Sequence, residues 1–170
     1  IVEDTQFSLA HSGLADAFGL LAHYGVLGPA DVWAKAASNA ASAVMLDGHS
    51  AEAHTSLAHV RATQDWDWAG AESAFLRAIQ LNPRDSTSRH WYAMSCLVPM
   101  ARLDEALEQM LLAQALDPVS SIIARDGTGA IASYTGNPTA FNALYGPSFG
   151  NFMRQVGARN HRSGGVVLDE

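Results

Sequence analysis

The chain has 170 residues, 48% of them hydrophobic and 16% charged, and this composition excludes an intrinsically disordered protein. Acidic residues outnumber basic ones by 17 to 10, and the net charge of −7 argues against nucleic acid as a partner. No stretch is apolar for long enough to span a membrane and no basic, apolar leader is visible, so we expect a cytoplasmic protein without membrane contact. The single cysteine, Cys96, can form no internal disulfide, and its apolar neighbours predict a buried thiol.

The first part of the chain contains three helical patterns separated by short connectors. The connector over residues 23–29 contains two glycines and a proline, which are typical of a loop. Asp47-Gly48 ends the second pattern, because glycine readily adopts the left-handed conformation that follows many helices. Ser50 is a candidate N-cap for the third pattern. The predicted helices cover residues 5–24, 30–46 and 50–64.

The second part of the chain continues with helices of similar length. Asp67 is a candidate N-cap for the first of them, and Pro83 ends it because proline cannot continue a helix. After Gly136 the pattern weakens, and we interpret residues 137–170 as a degenerate or truncated repeat and tail that could supply a capping helix. The predicted helices cover residues 68–81, 86–98, 103–116 and 120–134.

One spacing of residues recurs in three of these helices. Ala71, Phe75, Ala78 and Pro83 follow one another at steps of four, three and five. The first two steps place three residues on one helix face. The same steps recur at Ala106, Met110, Ala113 and Pro118, and at Ala36, Ala40, Ala43 and Gly48. The last members are 35 residues apart each time, and a fixed period of this size is typical of a helical repeat array.

Helix pairs with this period, with small residues at the crossings and proline at the end, resemble the tetratricopeptide repeat family, whose period is 34 residues. The first helix in that family carries a large apolar residue followed directly by a small one. The stretches over residues 65–68 and 90–93 also resemble a bacterial branch of the family. The resemblance covers about residues 5–135. This pair of a large and a small residue is matched at Leu14-Ala15 and Leu57-Ala58, matched poorly at Ala93-Met94, and matched only in its small member at Thr128-Gly129.

The resemblance implies an all-α fold in which tandem helix-turn-helix repeats stack into a right-handed superhelix. We assign residues 1–136 to this array, which corresponds to about three and a half repeats, and residues 137–170 to the degenerate end. One helix pair cannot bury both of its faces, so the stacking of neighbours supplies the core. Exposed ends of the array could then also mediate self-association. The first helix of each pair lines the concave side, where a partner segment can lie.

For function, the resemblance implies a protein–protein interaction module that binds a peptide or a partner domain in a concave groove and is not an enzyme. The alternative is a regulatory or scaffolding segment of a larger bacterial signalling enzyme or transcription regulator. In the bacterial branch such arrays are appended to winged-helix regulators, nucleotide cyclases or protein kinases. The sequence that flanks this segment in its gene would separate the two hypotheses.

Residues that could support catalysis or metal binding are better explained by their structural roles. His49, His54 and His59 are five residues apart, which separates neighbours by about 140° on a helix, whereas a spacing of four would bring metal ligands together. Neither an HExxH motif nor paired cysteines occur. Asp65 and Asp67 bracket a turn and cap a helix. We therefore predict no catalytic residues, no metal site and no cofactor.

The helical phase predicts which residues of the first helices face the groove. Leu14, Leu57 and Met94 should turn toward packing partners, so that an adjacent, mostly polar face lines the concave surface. This surface is mildly acidic and has no lysine, so it should prefer a neutral or basic segment over an acidic tail. The predicted partner-binding residues are Asp16, Thr55, His59, Trp91, Ser95 and Asp126.

Trp91 and Tyr92 are neighbours in the sequence, so their side chains point about 100° apart on a helix. One of them should enter the core of its helix pair, and the other should face the groove. An aromatic side chain in the groove could anchor an apolar side chain of the partner. The alternative is that both are partly buried against neighbouring repeats.

Overall fold

The computed structural model describes residues 5–23 and 29–124. These ranges contain six helices and no strand, which confirms the predicted all-α fold. The predicted helix over 120–134 is described only as far as residue 124, where it has begun, and the predicted end region 137–170 lies outside the described residues. The helices are α1 (Thr5–His23), α2 (Pro29–Leu46), α3 (Ala51–Val60), α4 (Trp68–Leu81), α5 (Ser86–Trp91) and α6 (Leu103–Leu116).

The helices stack as consecutive pairs. α1 packs on α2, α3 on α4 and α5 on α6, and the first helix of each later pair also contacts the second helix of the pair before it. The first helices α1, α3 and α5 also contact one another in sequence, whereas the second helices in the described ranges make no comparable contact. The array is therefore a superhelix with α1, α3 and α5 on its inner side. We call the surface formed by these three helices the inner surface.

The residues at the recurring steps occupy the helix crossings, as the spacing predicts. Alanine at a crossing lets two helix axes approach to about 8–10 Å. Phe75 of α4 and Met110 of α6 fill the central position, which Ala40 occupies in α2. All nine residues are fully buried: Ala36, Ala40, Ala43, Ala71, Phe75, Ala78, Ala106, Met110 and Ala113.

Two helices, α3 and α4, are capped at the predicted residues. The Ser50 Oγ accepts a hydrogen bond from the N–H of Ala53 at 3.1 Å and so begins α3. Asp67 begins α4 in the same way, through the N–H of Gly70 at 2.9 Å. A Cβ at position 70 would collide with the Asp67 carboxylate, so this cap favours glycine there. Asp85, which was not predicted, caps α5.

Two of the first helices end in a π-helical turn that the sequence pattern does not predict. α3 continues as Arg61–Asp65, and α5 continues as Tyr92–Leu97. The first of these turns ends at Trp66, which has a left-handed backbone with φ of 56° and a side chain that is 71% exposed. A π-helical turn holds one more residue than an α-helical one, so it changes which face the following residues occupy.

The predicted large and small pair of the third repeat is wrong by one residue. The prediction placed it at Ala93-Met94. The pair is Tyr92-Ala93, which follows Leu57-Ala58 by 35 residues, and both alanines are fully buried. The reason is physical: the residue that lies at the crossing must be small, and only Ala93 meets that condition at this position.

The side of α1 that faces away from the rest of the described array is apolar and exposed. Leu14 was predicted to face a packing partner, and this prediction is wrong, because its side chain is 48% exposed. No described helix covers this side of α1. Phe7, Leu9 and Leu20 are exposed on the same helix.

The apolar core consists of two clusters. The larger cluster joins the second and third pairs, and its largest buried side chains include Phe75, Leu97 and Met110. The smaller cluster joins the first pair to α3, and its buried members are Ala15, Ala36, Ala40 and Val60. A search of the described helices finds none with the length and apolar character of a membrane span.

Candidate functional site

His59 is at the centre of the inner surface, between α1 and α5. Its Nδ1 lies 3.1 Å from the Ser95 Oγ. Its ring centroid lies 4.5 Å from that of Trp91, and the two ring planes are inclined at 37°. On the opposite side, a Cβ at Gly19 of α1 would lie 3.4 Å from the His59 ring, in ordinary van der Waals contact. His59 is thus buried, and it supports the Trp91 ring from one side.

Thr55, one turn before His59, joins α3 to the start of α5. Its Oγ1 lies 2.6 Å from the Ser88 Oγ and 2.9 Å from the carbonyl of Ala51, to which it donates. The backbone N–H of Ser88 donates in turn to the N-cap, Asp85, at 3.0 Å. Thr55 is 4% exposed. The Thr55 hydroxyl therefore links α3 to α5, and little of the residue is accessible to a partner.

Asp16 joins α1 to α3 through a hydrogen bond that the Ser56 Oγ donates to its Oδ1 at 2.6 Å. Burial raises the pKa of Asp16 to about 6, because the ionised carboxylate loses part of its hydration between the two helices. The Ser56 hydrogen bond opposes this change in pKa, and the negative charge of Asp85 adds to it. Asp16 is therefore a carboxyl group whose charge depends on pH near neutrality.

Trp91 and Tyr92 differ in how deeply they are buried. Tyr92 is 4% exposed, and its ring lies 5.6 Å from that of Phe75 in the core. Trp91 is partly exposed and packs against the edge of the same cluster. Trp91 is therefore the member of the pair that a partner on the inner surface could reach.

The Tyr92 hydroxyl belongs to a polar network behind the inner surface. It donates to Glu72 Oε1 at 2.6 Å, and Arg102 Nη1 lies 2.6 Å from the same oxygen. The Tyr92 hydrogen bond holds the pKa of Glu72 below its usual range, and burial raises the pKa of Tyr92. Arg102 also pairs with Glu105 at 2.6 Å. This network fastens α4 to the π-helical turn after α5 and to the start of α6.

The structure brings together most of the predicted groove residues, but they differ in accessibility. His59, Trp91 and Ser95 form one contact group, Thr55 lies one turn away, and Asp16 binds the adjacent turn of α3. Asp126 lies outside the described residues. The buried members position their neighbours, whereas contact between a partner and the exposed members stays a prediction.

The sequence reasoning missed the buried serines that connect the helices. Ser56 and Ser88 are each at most 1% exposed, and each binds a predicted site residue. The available signal for such a contact was a small polar residue within a helix, on the side that faces the neighbouring first helix.

Two further features of the described residues bear on metal binding and on thiol chemistry. In residues 5–23 and 29–124 no three His, Cys, Asp or Glu side chains gather as they would around a metal ion. Cys96 is fully buried, as predicted, and burial raises the pKa of its thiol to about 11. A thiol with such a pKa is protonated at neutral pH and is a poor nucleophile.

Comparisons with known proteins agree with this description of the fold. No family profile matches the chain, and no curated protein does. Among solved structures, it is similar to the first TPR of Spaghetti (RPAP3) bound to HSP90 peptide SRMEEVD, with 16% identity and a TM-score of 0.58 over 79% of this chain and 97% of that one. It is also similar to the Arabidopsis OM64 TPR domain, with 18% identity and a TM-score of 0.51 over 68% and 90% of the two chains.

A third similar structure is that of Pseudomonas aeruginosa pilF. Its identity to this chain is 21% and its TM-score 0.57, and the match covers 79% of this chain but only 61% of that one. At these identities the comparisons concern the fold. The chain has the tetratricopeptide repeat fold, as its helix spacing and its resemblance to the family predict.

Proposed function

We propose that this chain is a non-catalytic protein-interaction module that binds a peptide segment on its inner surface. The observation that carries the proposal is Trp91, a partly exposed aromatic ring that His59 supports at 4.5 Å. A side chain held in place before binding loses little conformational entropy when a partner covers it. Tryptophan is also among the residues that most often dominate binding energy in interfaces. One of the similar repeat structures is described as bound to an HSP90 peptide, which supports a peptide as ligand here.

The chemistry of the inner surface favours a neutral or basic segment with an apolar anchor. The peptide named for that similar structure, SRMEEVD, ends in acidic residues. In this chain the only lysine, Lys35, is on α2 and not on an inner helix. Asp16 adds negative charge to the surface once it is ionised. An acidic segment would therefore be repelled on this surface, whereas an apolar side chain could pack on Trp91.

The experiment compares two tryptophan variants. Extended peptides of varied charge would be screened against the immobilised chain, and the best binder measured by calorimetry. Trp91→Ala should weaken its binding by about 1–2 kcal/mol. Trp66→Ala is the matched control, because Trp66 is 71% exposed at the turn between α3 and α4 and away from the inner surface. A peptide that binds the Trp91→Ala variant with unchanged affinity, or that prefers acidic residues at this surface, would contradict the proposal.

The second candidate function is a regulatory or scaffolding segment of a larger signalling protein. The observation that favours it is the exposed apolar side of α1, with Phe7 at 61% and Leu14 at 48% exposure. Another domain of the same protein could cover such a surface. Phe7→Glu combined with Leu14→Glu should then leave peptide binding intact and disrupt the contact with the adjoining domain, as measured by cross-linking in the full-length protein. Unchanged cross-links would contradict this role.

A further inference from the structure

A second concave feature lies between α3 and α4, apart from the inner surface. It is a pocket of about 560 Å³ with about two turns of α3 and its π-helical extension on one side and about two turns of α4 on the other. Its size is in the range of sites that hold a small ligand or a few peptide residues, about 300–1,000 Å³. The lining residues that bear on its chemistry are His54, Leu57, Arg61, Leu76, Arg77 and Gln80.

The pocket is positively charged in a chain whose overall charge is negative. Two arginines line it and no carboxylate does, although the chain has 17 acidic and 10 basic residues. Arg77 is exposed and forms no hydrogen bond or ion pair with the described residues. With the described residues, the Arg61 guanidinium makes one long hydrogen bond, from Nη1 to the carbonyl of Gly70 at 3.4 Å. By contrast, Arg102 has two carboxylate partners at 2.6 Å.

The carboxylates nearest in sequence do not neutralise these arginines. Glu52 of α3 accepts a hydrogen bond from Ser50 at the helix start. Asp67 caps α4, and Glu72 is engaged with Tyr92 and Arg102 on another side of that helix. Asp65 is exposed and does not line the pocket. Among the described residues neither guanidinium group has a carboxylate partner, so both have donors available for an anion.

We propose that this pocket docks an acidic peptide segment of a partner protein, with an apolar side chain beside its carboxylates. Guanidinium groups bind carboxylates through paired hydrogen bonds, and Arg61 and Arg77 offer two such groups on facing helices. Leu57 and Leu76 line the same pocket and supply apolar surface. A single inorganic anion would fill only a small part of 560 Å³, whereas a few residues of an extended peptide would occupy it.

The pocket and the inner surface can be occupied at the same time. Arg61 follows His59 by two residues, and two residues on a helix are about 200° apart, so the two side chains point to nearly opposite sides of α3. The two surfaces also have opposite electrostatic preferences, since Asp16 lies on one and Arg61 and Arg77 lie on the other. The same repeat array could thus hold a neutral or basic segment on one side and an acidic segment on the other.

Fluorescence anisotropy with a labelled six-residue peptide of alternating glutamate and leucine would test this site. The control peptide replaces each glutamate by glutamine. Arg77→Glu should weaken binding of the acidic peptide at least about tenfold, because it places like charge against the ligand. Arg84→Glu is the matched control: it makes the same change of charge at an exposed residue in the turn after α4, outside the pocket, and should change affinity less than about twofold.

Four outcomes would overturn the proposal. They are equal affinity for the glutamine peptide, equal loss in the Arg77→Glu and Arg84→Glu variants, no saturable binding of the acidic peptide at millimolar concentration, and loss of acidic-peptide binding on Trp91→Ala with none on Arg77→Glu. The last outcome would place the acidic peptide on the inner surface instead. Circular dichroism of each variant would verify that it is folded. Failure of this site leaves the proposed function of the inner surface unaffected, since that function is tested by a different peptide and by Trp91→Ala.

Discussion

The first helix pair and the two that follow it have the same repeat spacing but different cores. Phe75 and Met110 fill the centres of the second and third pairs, and together with Leu97 they are the largest fully buried side chains. Ala40 stands at the corresponding position of the first pair, 35 residues before Phe75. Burying an aromatic or long aliphatic side chain stabilises a protein by about 1.5–3 kcal/mol, several times what a methyl group contributes. The second and third pairs should therefore hold most of the apolar stabilisation.

The first pair compensates in part with polar contacts between its helices. The fully buried Ser8 Oγ donates to the carbonyl of Ala43 at 3.0 Å. His11 Nδ1 lies 2.7 Å from Asn39 Oδ1 across the same two helices. Such hydrogen bonds contribute about 1 kcal/mol each, less than a large apolar side chain. The comparison shows that repeat spacing determines where helices cross, whereas the size of the central residue determines how strongly each pair is held.

The largest expected effect comes from a charge at a crossing in the strongly packed region. Ala78 is fully buried, so Ala78→Arg should lower the free energy of unfolding by at least about 4 kcal/mol, through an unpaired buried charge and overpacking. Ser73 is exposed on the same helix, and Ser73→Arg should stay within about 0.5 kcal/mol. Urea denaturation followed by circular dichroism measures both variants. Equal midpoints would show that the buried side of α4 is assigned wrongly.

The next effect tests the comparison directly by exchanging the two central residues. Phe75→Ala should cost about 3–4 kcal/mol, because it leaves a cavity in the larger cluster. Ala40→Phe should cost about 1–3 kcal/mol by overpacking the close crossing of the first pair. Thermal and urea unfolding of both variants would be compared. If Ala40→Phe instead stabilises the chain, the core of the first pair contains unfilled space. Close packing of its helices would then not be the reason for alanine at position 40.

The contact between the first pair and the second predicts a dependence on pH. The pKa of Asp16 is about 6 in the folded chain, against an ordinary value of 3.8, so the folded state holds this proton more tightly than the unfolded state does. Stability should therefore fall as pH rises from about 4 to about 6, and the loss is complete above that range. Asp16→Asn keeps an acceptor for Ser56 and cannot ionise, so near pH 7 it should raise the free energy of unfolding by about 2 kcal/mol.

Two measurements make the Asp16 prediction specific. The gain from Asp16→Asn should disappear below about pH 4, where the parent carboxyl is protonated in both states. Ser56→Ala should deepen the loss of stability in the parent chain, because it removes the hydrogen bond that favours the ionised carboxylate. Urea midpoints of the parent chain and of both variants, measured across this pH range, would test these two expectations. A gain that is independent of pH would show that the substitution acts through packing and not through ionisation.

Most of the fold could be predicted from the sequence, because the repeat spacing is a local property. The steps of four, three and five identify the buried faces of α2, α4 and α6, and all nine residues concerned are fully buried. Ser50 and Asp67 cap their helices as predicted. The π-helical turns could not be predicted, because they depend on how α3 and α5 pack and not on any residue pattern. The alignment of the third repeat was wrong by one residue, because the prediction placed Ala93 at the large position of the motif, whereas Ala93 is the small, fully buried residue at the crossing.

Less of the candidate site could be predicted. The helical phase does place Asp16, His59, Trp91 and Ser95 close to the inner surface, but it gives no measure of how deeply each is buried. Thr55 became a buried link because α5 starts beside it and presents Ser88, and such a contact between distant residues has no signal in a single sequence. The pocket with Arg61 and Arg77 was likewise not predicted, because the two arginines meet only when α3 and α4 pair.

The smallest expected effect concerns the hydrogen bond that holds the first pair. Ser8→Ala removes the donor to the Ala43 carbonyl, but that carbonyl still accepts from the N–H of Asp47 at 3.0 Å. No buried group is left without a partner by this change, so the cost should be about 1 kcal/mol, the net value of one hydrogen bond. Ser42→Ala, which removes an exposed bond within α2, should cost less than about 0.5 kcal/mol. In the Ser8→Ala variant, amide hydrogen exchange should become faster than in the parent chain first in α1 and α2, and only later in α4 to α6. Opening of all helices together would mean that the first pair is as firmly coupled as the others, despite its smaller core.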